Sequence, residues 1–186
     1  MSLSWLPNAI CIVRIVLVGP IVWALLEGRY LLALLLIVTA GLSDGVDGFL
    51  ARYFDWRTRL GSLLDPTADK LLLVSVFVTM TYIGLVPVWL AVIVVLRDLI
   101  IVAGASIYQF LIAPVAGEPS AISKLNTTCQ LAFIFFTLTA AIVNWPPPIW
   151  ITILGAAVFF TSVVSGFDYV ISWTKRAWWT RATDAA

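Results

Sequence analysis

Six long apolar stretches, separated by short breaks of glycine, proline and charge, leave this 186-residue chain few ways to fold. They run over about residues 8–26, 30–52, 61–85, 88–112, 123–143 and 149–172. Each is near the roughly 20 apolar residues that a helix needs to cross a bilayer. With 62% hydrophobic and 11% charged residues, the chain is no ordinary soluble domain, whose charged share is nearer about 25%. The expected fold is an all-α integral membrane protein, a bundle of six transmembrane helices forming a single domain over residues 1–186. The first stretch lacks a basic leader and a small-residue cleavage site and reads as a retained span.

Charge sets the expected orientation. Six spans place Arg52, Arg57, Arg59, Lys124, Lys175, Arg176 and Arg181 on one side with both termini, and essentially Arg29 alone on the other. Cytoplasmic loops carry the excess of Lys and Arg, so the first side is cytoplasmic. Most tryptophans fall at or near expected span ends, where an amphipathic ring prefers the headgroup region. The run Asn144 to Pro148, with three consecutive prolines, is expected to be a non-helical outer connection.

What is missing narrows the chemistry. There is no histidine, which removes the commonest general base and metal ligand and every Ser/His or Cys/His arrangement. Cys11 and Cys129 lie inside apolar stretches and imply no disulfide framework. A net charge of +1 without a basic run gives no footprint for nucleic acid.

Half of the acidic residues, five of ten, lie between Asp44 and Asp69. Asp44 and Asp47 share one helix face, as do Asp65 and Asp69. The connection from Arg52 to Gly61 is short, so the two helices are expected to be antiparallel neighbours with both pairs at matching depth. Four converging carboxylates are tolerable at neutral pH when divalent cations neutralise them, which points to an oxygen-rich Mg²⁺ or Mn²⁺ site. An ion pathway through the membrane is the competing reading. It is disfavoured because the acid is confined to one half of the second and third stretches.

The full spacing, Asp44-x2-Asp47-Gly48-x2-Ala51-Arg52-x8-Gly61-x3-Asp65-x3-Asp69, resembles the signature of the CDP-alcohol phosphatidyltransferases at every position. The resemblance implies transfer of a phosphatidyl or similar group from a CDP-linked donor to an alcohol, with release of CMP. It implies that Asp44, Asp47, Asp65 and Asp69 ligate two divalent ions and that Asp69 is also the catalytic base. It further implies a nucleotide site at Gly48, Ala51, Arg52 and Gly61, and a homodimer. Membrane location is expected to be of the bacterial or mitochondrial inner-membrane type, with the site open to the cytoplasmic side.

A second polar group comprises Arg14, Arg97, Asp98 and Lys124. Either Arg97 pairs with a carboxylate and Lys124 snorkels to the headgroups, or Arg97 and Lys124 hold the acceptor's phosphate with help from Arg14. The run Ser123-Lys124-Leu125-Asn126-Thr127 through Gln130 resembles the S-K-x-N-T-x2-Q pattern of CMP-forming cardiolipin synthases within the family, and Arg97-Asp98 their R-D. Enzymes making phosphatidylglycerol phosphate more often carry a second lysine where Asn126 stands. A neutral Asn126 suits phosphatidylglycerol, a monoanionic diester, better than glycerol 3-phosphate, which carries nearly two charges. The expected substrates are therefore CDP-diacylglycerol and phosphatidylglycerol, with glycerol 3-phosphate the alternative acceptor. Asp69→Asn is expected to abolish CMP release while CDP-diacylglycerol still binds, checked by turnover and equilibrium binding; retention of most activity would remove Asp69 from the role of base.

Overall fold

The computed structural model describes the backbone of residues 6–53, 61–111 and 121–183, and the side chains of 12–43, 70–104, 121–169 and 171. It is all-helical, with α1 (Leu6–Leu26), α2 (Tyr30–Tyr53), α3 (Gly61–Tyr82), α4 (Val88–Leu111), α5 (Ala121–Val143) and α6 (Pro148–Thr183). These bounds follow the six apolar stretches closely, with three informative differences. Helix α3 stops at Tyr82 rather than Leu85 because Gly84 turns left-handed at φ 79°. The Gly84 and Leu85 amides then donate back to Thr81 O and Met80 O at 3.1 and 2.9 Å, closing the helix with its carbonyls satisfied. Pro148 opens α6 instead of belonging to the connection, since the first helical position needs no N–H and suits the fixed φ of proline. Finally, α6 continues past residue 172 to Thr183, so the basic segment after the sixth apolar stretch is helical.

The α1–α2 turn uses the same device as the end of α3. Gly28, at φ 71°, and Arg29 donate to Leu25 O and Ala24 O at 3.1 and 2.8 Å. At the end of α5 a left-handed Asn144, φ 56°, takes the glycine's place, followed by a cis Trp145–Pro146 bond.

By packing, the chain falls into two compact units, Met1–Pro87 with Ile134–Pro147, and Val88–Phe133 with Pro148–Ala186. In the first unit, α1 packs against both α2 and α3. Its core is built from residues three and four apart: Ile21, Ala24 and Leu25 of α1, Ala33, Ile37 and Ala40 of α2, and Leu73, Val76, Phe77 and Met80 of α3.

In the second unit, α5 and α6 form an antiparallel hairpin. Phe133 meets Gly155, Asn126 meets Thr161 and Ser162, and Ser123 lies level with Ser165 through a shared arginine. Helix α4 runs parallel to α6, with Trp89 against Phe159 and Arg97 against Ser165. It therefore begins two to three turns along α6, on the order of 12 Å. Trp89, expected at a headgroup boundary, sits beside the middle of α6's apolar stretch as a result.

Outward faces are apolar. Val16, Leu42, Leu99, Phe160 and Phe167 are each at least 60% exposed, a surface that water disfavours and lipid does not. Among the described residues, Ala121–Val143 and Pro148–Tyr169 are long and apolar enough to cross a membrane; Ile12–Leu26, Tyr30–Ser43 and Lys70–Tyr82 are shorter apolar stretches. Hydroxyls on these helices satisfy themselves locally. Thr39, Ser43, Thr79, Thr81 and Thr139 donate to carbonyls four residues back at 2.7–2.8 Å.

At Gly155, side chains of α4 and α5 close on the backbone of α6. A Cβ there would lie 3.3 Å from the Phe133 ring and 3.7 Å from Leu90. Gly155→Leu is expected to destabilise the fold by about 1–3 kcal/mol through overpacking. Gly19→Ala, with nothing within 4 Å of the added carbon, is expected to be neutral or mildly stabilising. Thermal unfolding in detergent micelles checks both.

Candidate active site

Helix α2 carries Asp44, Asp47, Gly48, Ala51 and Arg52 in its last ten residues, and α3 carries Gly61, Asp65 and Asp69 in its first nine. The backbones are thus helical where the sequence pattern needs them to be. The side chains of all eight positions lie outside the described residues, and so does the expected meeting of the two carboxylate faces. Among the described side chains, no three of His, Cys, Asp or Glu come together. The donor set itself fits a hard divalent cation, being four carboxylates with no competing imidazole in the chain.

Arg14 is 2% exposed and continues the buried Ile21/Leu25 stripe of α1 towards the N-terminus. It lies twelve residues before the end of α1, while Asp44 lies fourteen residues into α2 and Asp69 thirteen before the end of α3. At 1.5 Å per residue these distances are all about 18–21 Å. Since α1 packs on both α2 and α3, the arginine belongs to the same level as the deeper aspartate of each pair.

The other acceptor candidates fall in the second unit. Arg97, 5% exposed, places Nη1 2.5 Å from Asp98 Oδ1 and donates through Nη2 to Ser123 Oγ (2.7 Å) and Ser165 Oγ (2.8 Å). The Arg97–Asp98 pair is near the middle of α4, yet the offset of that helix puts it level with the first turn of α5. The arginine stem passes beside Gly166, where an added Cβ would lie in ordinary contact, 3.9 Å from Arg97 Cγ. One turn deeper, Asn126 is fully buried and its Oδ1 accepts from Thr161 Oγ1 and Ser162 Oγ at 2.8 and 2.9 Å. Gln130, 1% exposed, follows one turn beyond, whereas Lys124 is exposed.

Arg97, Ser123, Asn126 and Gln130 therefore belong to one polar ladder. Its α6 members, Thr161, Ser162 and Ser165, were not legible as site residues from the sequence. Their signal is small polar side chains three and four apart in an otherwise apolar helix, a pattern common to helix contacts in membranes. Breaking a buried ion pair strands a charge, whereas replacing both partners does not. Asp98→Ala is expected to cost about 3–5 kcal/mol, and the double substitution Arg97→Met/Asp98→Leu to recover most of it, as measured by thermal unfolding in micelles.

Comparison with known proteins agrees with the spacing of the aspartates. The family model for CDP-alcohol phosphatidyltransferases matches residues 4–167. The chain is 32% identical over 180 residues to human cardiolipin synthase (CMP-forming), covering 88% of this chain and 60% of that protein. It is 30% identical over 189 residues to the CDP-diacylglycerol–glycerol-3-phosphate 3-phosphatidyltransferase of Bacillus subtilis, covering 88% of this chain and 92% of that one. The enzyme of that name from Shigella flexneri is 30% identical over 169 residues, covering 86% and 87%. The chain thus spans 60% of the human relative's length and about nine-tenths of the bacterial ones. With a family match across nine-tenths of its length and the helices carrying the signature in place, the chain belongs to the CDP-alcohol phosphatidyltransferase family.

Proposed function

We propose that this chain transfers a phosphatidyl group from CDP-diacylglycerol to a hydroxyl of phosphatidylglycerol, giving cardiolipin and CMP. The observation that carries the reading is the unbroken aspartate spacing from Asp44 to Asp69, borne on the end of α2 and the start of α3. Asp69 takes the proton of the acceptor hydroxyl. The freed oxygen bonds to the phosphatidyl phosphorus, and the pyrophosphate P–O bond breaks with its electron pair leaving on CMP. Little covalent work falls to the protein in such a displacement, and positioning with charge neutralisation dominates. Asp44, Asp47, Asp65 and Asp69 would hold two Mg²⁺ or Mn²⁺ ions, which supply positive charge at the donor's pyrophosphate. Gly48, Ala51 and Gly61 keep the helix surfaces shallow beside cytidine and phosphate, and Arg52 offers a planar set of donors.

Lys124 meets the acceptor's phosphate with Asn126 beside it, while Arg97, its charge held by Asp98, positions the start of α5 through Ser123. A second reading, with glycerol 3-phosphate as acceptor, is favoured by the bacterial relatives, which this chain matches over nearly their whole length. Six membrane spans, one domain and a cytoplasm-facing site follow from the same reading. They are supported by the exposed apolar faces of α1, α2, α4 and α6 and by a family match that runs through both packing units. The assembly is a homodimer in a bacterial or mitochondrial inner-membrane type of bilayer.

Purified protein in mixed micelles with CDP-diacylglycerol and Mg²⁺ or Mn²⁺ tests the reading, with phosphatidylglycerol and glycerol 3-phosphate offered in parallel and products identified by mass. CMP release with phosphatidylglycerol alone is expected. Release with glycerol 3-phosphate alone would keep the family and overturn the acceptor. Mg²⁺ movement across vesicles with no CMP release under any acceptor would replace the enzyme by a transporter.

A further inference from the structure

The second unit contains two buried amide groups that its own hydrogen bonds leave unanswered. Asn126 Oδ1 accepts from Thr161 Oγ1 and Ser162 Oγ. Thr161 has an alternative acceptor in Ala157 O at 2.7 Å, but Ser162 donates nowhere else among the described residues, which assigns the amide oxygen to that side. Nδ2 of Asn126 then occupies the other edge of the amide. Neither it nor Nε2 of Gln130 has a hydrogen-bond partner among the described residues, although the two residues are 0% and 1% exposed. A buried donor left unmade costs more than a typical hydrogen bond contributes, so apolar side chains would serve packing better at both positions.

The chemistry of the pair narrows what answers it. Both free atoms are donors, so the partner is an acceptor oxygen. Neither carries charge, and Asp98 already neutralises Arg97. An anionic oxygen brought here would lose its water without gaining a cation. A neutral carbonyl meets no such penalty. Asn126 and Gln130 lie two and six residues beyond Lys124 on α5, about 3 and 9 Å further along the helix. With Lys124 at the headgroup level, they fall where the interfacial layer, roughly 5–8 Å thick on each face, gives way to hydrocarbon. The ester carbonyls that join acyl chains to a lipid's glycerol occupy that depth.

We propose that Asn126 and Gln130 form a subsite for an acyl-ester carbonyl of a diacylglycerol lipid substrate. The proposal rests on the reading of the chain as a membrane enzyme with Lys124 facing the headgroups. It adds Gln130, and a neutral part of the lipid, to a pocket otherwise argued from charge. The same carbonyl is present in phosphatidylglycerol and in CDP-diacylglycerol. Both amides are closed off from solvent, so the carbonyl arrives with its own acyl chain, which parts α5 from the helices around it.

Replacing esters by ethers removes the carbonyl and keeps the chains. CMP release is measured with dioleoyl diester and dioleyl diether forms, first of phosphatidylglycerol with diester donor, then of CDP-diacylglycerol with diester acceptor. The wild-type protein is expected to lose about tenfold in kcat/KM on ether substitution in one of the two lipids, the scale of one good hydrogen bond. Gln130→Leu is expected to bring the diester of that lipid down to the level of its diether, while melting at or above the wild-type temperature. Gln130→Met gives the same comparison should the leucine variant fail to fold. Esters and ethers used within twofold of each other in both lipids would overturn the subsite, as would a Gln130 variant that slows both forms equally. Turnover with glycerol 3-phosphate but not phosphatidylglycerol would overturn the acceptor reading alone, because the donor comparison still reports on the subsite.

Discussion

A single guanidinium organises the second unit. Arg97 is buried, where an unpaired cation would be prohibitive, and three helices supply partners for its two terminal nitrogens. Asp98 comes from its own helix, Ser123 from the first turn of α5 and Ser165 from α6. Meeting all three demands that α4 sit displaced along α6. The close contact at Gly155 then follows, since with that displacement Leu90 and Phe133 converge on α6 where no Cβ stands. Polar satisfaction at one level and tight apolar packing two to three turns away are consequences of one placement.

The polar ladder also divides α5 along its length. From Ser123 to Gln130 its buried face is polar, and from Phe133 to Leu138 it is chiefly apolar, with Thr137 the exception. In lipid such an arrangement is sustained only where partners lie at hand, and Arg97 and α6 supply them for Ser123 and for Asn126 Oδ1. Polar capacity is thus confined to the half of the helix that begins near Lys124. A transfer reaction at one membrane face needs that asymmetry, whereas a conduction path would need polar positions continuing through the second half.

The sequence carried the fold in its punctuation. Gly28 and Gly84 end helices because each must turn left-handed there, and the six apolar stretches between such breaks appear as helices with shifts of a few residues at most of their ends. The displacement of α4 could not be read in the same way. It arises from contacts among Leu90, Phe133 and Gly155, which lie on three different helices, and hydrophobic periodicity gives the buried face of a helix but not its height. The site divides likewise. The aspartates were legible because their spacing is specific to a chemistry, whereas Thr161, Ser162 and Ser165 are ordinary small residues until Asn126 and Arg97 are seen to lean on them.

Those partners change the charge argument about the acceptor. Counted from sequence, Arg97 and Lys124 together offer two cations to a phosphate. In the folded unit, Asp98 takes the charge of Arg97, and the two serines take its remaining terminal donor. Lys124 is then the cation of this unit's α4–α5 polar group left facing outward, and its neighbour Asn126 is neutral and anchored from α6. One uncompensated cation matches a phosphodiester, which carries one negative charge, better than a monoester with nearly two. Bringing the second charge of glycerol 3-phosphate to this end of α5 would require opening the Arg97–Asp98 pair, at the cost that breaking a buried pair exacts. The balance of charge in the second unit therefore supports the proposed lipid acceptor, extending the argument from the neutral Asn126 to Arg97 and Asp98.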